Sequence, residues 1–393
     1  MDIIHLPIEL WTLIICPLDI KLQVRLIQIC KTIKNNIFVT DLCNIGKLKK
    51  KLNEDIIKKY PYIKKLDISF NSKIKDQDLV GLNLIKLDAK HNPNIKKINH
   101  MTNLKILDAS GNCGIGDDDL VGLNLIELNA SYNQKIKKIN HMTNLRKLNT
   151  VGDYRISNAS ANSGIGNDDL IGLNLFELNA SYNQKIKKIN HMTNLKKLDA
   201  SRNSGIDDDN LVGLNLVELD AHSNPKIKKI NHMTNLRILN ASGSSGIGDE
   251  DLVGLNLVEL AANSNPKIKK INHMTNLRIL DAVGDCGIGD DSLIGLNLIK
   301  LDAYDNPEIK KINHMTNLRI LNASGNSGIE DDGIIGLNLE KLNAYDNPKI
   351  KKINHMNNLR ILNASGNSGI DNDSLDGLNL EELHADDNSK IKN

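Results

Sequence analysis

Seven histidines recur in one local context, Asn-His-Met: His100, His141, His191, His232, His273, His314 and His355. Histidine is the commonest metal ligand and the side chain that most readily moves a proton near neutral pH, so this column raises metal chemistry first. Their spacing argues against it. Metal ligands must converge within about 2 Å of one ion. Residues on every second turn of a repeating chain, with neighbouring strands about 4.8 Å apart, stand about 10 Å from one another. The aspartate runs, Asp117 to Asp119 and Asp207 to Asp209, lack the glycine and the distal glutamate of a calcium loop. Gly246-Ile247-Gly248 precedes an acidic run that would repel a phosphate, and no nucleophile elbow or acid–base pair falls at workable spacing. The expectation is a chain with no catalytic residue, no metal and no cofactor, hence not an enzyme.

What positions these columns is a repeat. The pattern L-x-x-L-x-A-x-x-N begins at Ile63, Leu84, Leu104, Leu125, Leu145, Leu175, Leu195, Leu216, Leu236, Leu257, Leu277, Leu298, Leu318, Leu339, Leu359 and Leu380, sixteen copies mostly 20 or 21 residues apart. Self-similarity at this period with this pattern is the leucine-rich-repeat signature, one short parallel strand per coil. Leucine and alanine at the fourth and sixth places (Leu107 and Ala109) should point inward and Ile106, Asp108 and Ser110 outward. The ninth-place asparagine (Asn112, Asn133, Asn183) should end the strand by bonding turning backbone.

Two kinds of coil alternate, giving a 41-residue pair. One runs Asn224 to Leu236, with Ile227, Ile230, Met233 and Leu236 three apart. The other runs Asn203 to Leu214, where Asp207 and Asp208 can cap a helical turn carrying Leu211 and Leu214. The Lys pairs (Lys137 and Lys138, Lys228 and Lys229) and the Asp runs then form alternating rows, expected to screen one another on the outer surface. Nine extra residues at 155–163 interrupt the register and are expected to form a loop.

At 393 residues, 40% hydrophobic and 25% charged, the chain can bury a large core. Five scattered cysteines without a C-x-x-C pair argue for reduced thiols, in a cytoplasmic or nuclear setting. No basic leader and no apolar run of about 18 residues is present, so neither secretion nor a membrane span is expected. Net charge is +2, without the basic excess of a nucleic-acid-binding surface.

Residues 1–40 read as helices unlike the repeats. Pro7 opens one at its first position, and Leu22, Leu26 and Ile29 share a stripe of the next. Leu6-Pro7-x-Glu9-Leu10, Ile14-Ile15, Leu18, Asp19, Leu22 and Val24, followed by Ile29-Cys30-Lys31 and Ile37, resemble the F-box motif, which commonly precedes leucine-rich repeats. Trp11 and Ile33 depart from the family pattern. The resemblance implies docking onto a Skp1-like adaptor of a cullin-type ubiquitin ligase, with Leu6, Pro7, Leu10, Ile14, Leu18 and Leu22 as the adaptor contacts. The alternative is that this segment only caps the first coil. Residues 41–62 form a linker, read as an amphipathic helix with Leu48, Leu52, Ile56, Ile57 and Tyr60 on its apolar side and Lys47, Lys49, Lys50 and Lys51 in solvent.

The expected architecture is therefore an α/β solenoid, a leucine-rich-repeat horseshoe over residues 63–393 with about sixteen parallel strands, preceded by a small all-helical F-box-like domain. Stacked acids at the fifth place, Asp108, Asp199, Asp220, Asp281 and Asp302, with Tyr304 and Tyr345 as anchors, mark a concave face for a basic target protein. The expected role is substrate recognition for a ligase, or an interaction scaffold with no ubiquitin connection; neither nucleic acid nor membrane is an expected partner.

Overall fold

The computed structural model describes Leu18, Leu22, residues 39–43, Ile45, Lys49, residues 51–152 and residues 163–392. Leu6, Pro7, Leu10, Ile14 and residues 155–162 of the insertion lie outside the described residues. The chain divides into two compact units, residues 1–194 and 195–393.

Each unit is a leucine-rich-repeat solenoid of three-residue parallel strands. Unit 1 starts with a two-residue strand, β1 (Asp41–Leu42), and continues from β2 (Lys65–Asp67) to β7 (Glu177–Asn179). Unit 2 runs from β8 (Lys197–Asp199) to β17 (Glu382–His384). β1 pairs with β2, so among the described residues the sheet of unit 1 extends one strand before the first repeat. Within a unit the register never slips: Leu66 lies beside Leu87 and Leu87 beside Leu107, as Leu239 lies beside Leu260 and Leu260 beside Leu280. A one-residue shift would turn every leucine to solvent. The fourth-place leucines are 0–2% exposed from Leu66 to Leu362, whereas Leu383 on β17 is 40% exposed.

The apolar members of both coil types converge beneath the strands. Ile227, Ile230, Met233 and Leu236 are fully buried, as are Leu211 and Ile206. Each helical turn of the second coil type is about one turn long, such as Asp208–Leu211, opened by the Asp207 carboxylate accepting from the Asn210 N–H at 3.3 Å.

Among the described residues of the linker, the α-helix runs Glu54–Lys59, capped by Asn53, whose Oδ1 accepts from the Ile56 N–H at 3.1 Å. Its Ile57 and the preceding Leu52 are buried. Lys49 does not sit in solvent: its ammonium bonds Asp67 at 2.6 Å and also Ser69 on the first repeat. The cap thus joins the first coil by an ion pair as well as by apolar packing.

Two inward–outward assignments are corrected. Ser110 is buried, because at the seventh place the chain has begun to turn and the small hydroxyl folds back onto Asp108 Oδ1 at 2.5 Å. Asn112 is exposed, and the neighbouring Cys113 enters the core instead. The two coil types therefore use different buried plugs: asparagine in one (Asn133, Asn183, Asn224), serine or cysteine one place later in the other (Cys113, Ser204, Ser245).

Candidate functional site

The buried asparagines are structural. Asn224 Nδ2 donates to the carbonyls of Ala200 (2.7 Å) and Ile206 (3.1 Å), and its Oδ1 accepts from the Lys226 N–H (3.1 Å). Asn133 and Asn265 repeat this pattern. Each satisfies three backbone groups that the turn would otherwise bury unpaired.

The columns that suggested chemistry are also tied to backbone. Every histidine of the Asn-His-Met context places Nε2 3.1–3.4 Å from a carbonyl of the preceding coil, as His232 does with Leu211 and His314 with Leu293. A carbonyl only accepts, so Nε2 carries the proton. The lysine rows screen the acids, as Lys228 does for Asp251, but the hydrogen bonds of the acids go to backbone. Asp208 Oδ1 accepts the backbone N–H groups of Lys228 (2.7 Å) and Lys229 (2.8 Å), and Asp249 and Asp331 do the same for the Lys pairs that follow them. A carboxylate on two N–H groups is a stronger tie than an exposed ion pair. Among the described residues, no group of three His, Cys, Asp or Glu side chains converges as metal ligands would, and no helix is long and apolar enough to cross a membrane. The described cysteines are free thiols. Burial pushes Cys43 up to about 12, with Asp41 adding to it, and Cys113 up to about 11.

The strand face remains as the candidate site, and each unit carries its own part of it. In unit 1, Asp108 lies in an open depression of about 380 Å³ with Asp88, Glu127, Lys147 and Glu177. Lys147 Nζ stands 3.8 Å from Glu127 and 3.6 Å from Glu177. In unit 2, Asp199 is brought beside Asp220, and Asp281 beside Asp302. These carboxylates already have partners. Asp220 accepts from the His222 N–H (2.8 Å) and the Asn240 amide (3.1 Å), and Asp302 accepts from the Asn322 amide (2.9 Å). Lys300 Nζ lies 3.5 Å from Asp281, an ion pair without hydrogen-bond geometry. The negative potential of the column is therefore partly spent within the sheet.

Tyr304 and Tyr345 stand on alternate coils of unit 2, 40% and 44% exposed. Both occupy the seventh place, where serine folds inward and a phenol ring is too large to follow. The adjacent Asp305 and Asp346 hold their phenols above the ordinary range. The sequence reading missed a third-place apolar row, Ile238, Ile279, Ile320 and Ile361, half-exposed or exposed between the charged coils. Its signal was present, since from Glu218 to Glu382 the third place alternates isoleucine with lysine or glutamate. Of the adaptor residues, Leu18 is half-buried and Leu22 exposed.

No family model and no curated protein matches the sequence. Solved structures do. The chain is similar to the Rad7 and Elc1 complex of yeast (16% identity, TM-score 0.41, covering 86% of this chain and 87% of that one). It is also similar to mouse RP105/MD-1 (14%, 0.44, 87% and 69%) and to the TLR13–ssRNA13 complex (18%, 0.44, 89% and 66%). Likeness at these identities and scores adds nothing to the coil geometry above, from which the leucine-rich-repeat fold follows by itself.

Proposed function

We propose that this chain is a non-catalytic protein-interaction subunit in which the strand face takes a target protein and the N-terminal segment delivers it to a Skp1-like adaptor. The observation that carries the interaction reading is the composition of the unit 2 strand face. An isoleucine on every second coil, two exposed tyrosines and flanking carboxylates make an apolar centre with a charged surround, the anatomy of a protein-recognition surface. Half-spent carboxylates favour a target whose basic residues add to an apolar contact rather than replace it.

The adaptor half of the reading is supported by the residue pattern from Leu6 to Ile37 and by the exposure of Leu22. Co-purification of the full chain with a Skp1-like adaptor tests it. A stable complex is expected, lost in Leu6→Ala/Pro7→Ala. A complex that survives those substitutions, or none at all, leaves an interaction scaffold with no ubiquitin connection. For the strand face, Asp199→Lys/Asp220→Lys/Asp302→Lys should weaken binding of a lysine-rich peptide about tenfold or more, with a flatter salt dependence. Unchanged affinity would remove the acids from the site.

A further inference from the structure

At the eighth place of the coils the backbone passes through positive φ. The chain must leave the strand there while its N–H still reaches the seventh-place carbonyl of the next coil: Phe70 donates to Lys90 (2.9 Å), His91 to Ser110 (3.0 Å) and Tyr132 to Val151 (3.0 Å). Glycine, asparagine, aspartate and histidine meet that demand with least strain, and a phenylalanine or tyrosine there is an outlier. Unit 1 nevertheless carries Phe70 (φ 57°), His91 (53°), Tyr132 (60°) and Tyr182 (58°) at this place. Phe70 is 68% exposed and Tyr132 42%, so burial of these rings does not offset their strain. Strained side chains held in solvent point to use at the surface.

The rings form a row. Phe70 stacks on His91 with centroids 4.8 Å apart. The His91 ring lies across Gly111, where a Cβ would stand 2.4 Å from its Cε1, so the intervening coil contributes no side chain of its own. Beyond it Tyr132 borders an open cleft of about 520 Å³, shared with His91, Gly111, Asn112, Gln134 and Lys135. The cleft offers aromatic surface and amide groups, and none of its lining residues is a carboxylate. Its lysine ammonium is already placed on the Cys113 carbonyl at 3.0 Å, which favours a neutral occupant over a polyanion.

His91, Tyr132 and Tyr182 recur on every second coil, a spacing of about 9.6 Å. One turn of a polyproline II helix spans about 9.3 Å. An α-helix repeats at about 5.4 Å per turn and an extended strand at about 6.7 Å per two residues, and both drift out of step by more than about 1 Å per repeat. A polyproline helix has no internal hydrogen bonds, so its carbonyls need donors such as the Asn112 and Gln134 amides, and its rings dock into aromatic-lined grooves. We propose that the aromatic row of unit 1 is a docking track for a proline-rich segment of a partner protein, with one turn seated between His91 and Tyr132. The track shares with the reading above only that this chain binds proteins; it uses neither the adaptor residues nor the strand face.

The test is fluorescence anisotropy of the full chain with a labelled peptide of about four Pro-Pro-Ala repeats, against the same peptide with every proline changed to alanine. Saturable binding is expected, at least about tenfold weaker for the alanine peptide and for Tyr132→Ser, within about threefold of native for Tyr132→Phe, since truncating an aromatic anchor usually weakens binding by an order of magnitude or more. Leu6→Ala/Pro7→Ala and Asp220→Lys should leave it unchanged, so failure of the track and failure of the functional reading are separable. A urea midpoint shows that Tyr132→Ser is folded. Absent binding, equal binding of the two peptides, or undiminished binding by folded Tyr132→Ser overturns the track. Binding of a uridine oligonucleotide instead, lost in Tyr132→Ser, would reassign it to nucleic acid.

Discussion

The two units meet one backbone demand with different side chains. In unit 2 the residues other than glycine at the eighth place are Arg202, Ser223, Ser264, Asp305, Asp346 and Asp387, with φ between 52° and 63°, the same conformation that unit 1 gives to Phe70, His91, Tyr132 and Tyr182. In unit 2 the aspartates return a hydrogen bond for the strain: Asp305 Oδ1 accepts from the Asn326 N–H and Asp346 Oδ1 from the Asn367 N–H, both at 2.7 Å. In unit 1, His91 does the same for Asn112 through Nδ1 at 3.2 Å, but a phenylalanine has no atom with which to do so. The turn dictates φ and leaves the side chain open, so the two surfaces differ in what fills the place and not in the turn that presents it.

That conclusion requires the coils themselves to be built alike, which the buried asparagines can break. Asn133→Ala in unit 1 and Asn265→Ala in unit 2 each orphan two carbonyls and one N–H in the core. At about 1–3 kcal/mol per buried group left unpaired, partly relieved by relaxation, each should lower stability by about 3 kcal/mol in urea unfolding. A large difference between them would mean that the units are not equivalent scaffolds.

A smaller effect sharpens the contrast at the eighth place. Phe70→Gly removes a left-handed penalty of about 1–2 kcal/mol and loses an exposed stack on His91 worth about 0.5 kcal/mol, so the chain should gain about 1 kcal/mol. Asp305→Gly removes the same penalty but also the bond to Asn326, worth about 1 kcal/mol, and should be near neutral. Equal urea midpoints for the two variants would show that the exposed ring is stabilising where it stands.

The repeat made much of this legible. Leucine at the first and fourth places and alanine at the sixth predict strand, register and core face, because those places are buried in the coils before the last. The left-handed eighth place was not legible: it is imposed by the N–H of Phe70 or Asp305 reaching the next coil, a contact that no local pattern announces and that a phenylalanine conceals. The acidic rows were read as ionic because their lysine neighbours are conspicuous in sequence, whereas the groups they bind are the backbone N–H groups of those same lysines. Ser110 and Asn112 failed for a related reason, since strict alternation ends where the chain begins to turn. The strand-face aspartates were found by column, but the amides beside them that share their charge become visible only once the strands are laid in register.

That register also separates the units at the fifth place. Unit 1 stacks three acids on consecutive strands, Asp67 beside Asp88 beside Asp108. Unit 2 stacks them in pairs, with Asn240 beside Asp220 and Asn322 beside Asp302 supplying an amide. Asp88, in the middle, is held above the ordinary carboxylate range by burial, opposed by the Lys90 N–H and reinforced by Asp108 and Asp67. A carboxyl raised in the folded state binds its proton more tightly there than in the unfolded chain. Its contribution is fully present below the unfolded value of about 3.9 and is lost as pH rises through the raised one. At neutral pH the ionised Asp88 is therefore a liability. Asp88→Asn keeps an acceptor for the Lys90 N–H, as Asn129 does for Ser131, and offers an amide to its neighbours. It should stabilise the chain at pH 7 by less than about 1 kcal/mol, and the gain should shrink toward pH 3.5. A gain in urea midpoint that grew on acidification would mean that the central carboxylate is stabilised by its neighbours rather than crowded by them.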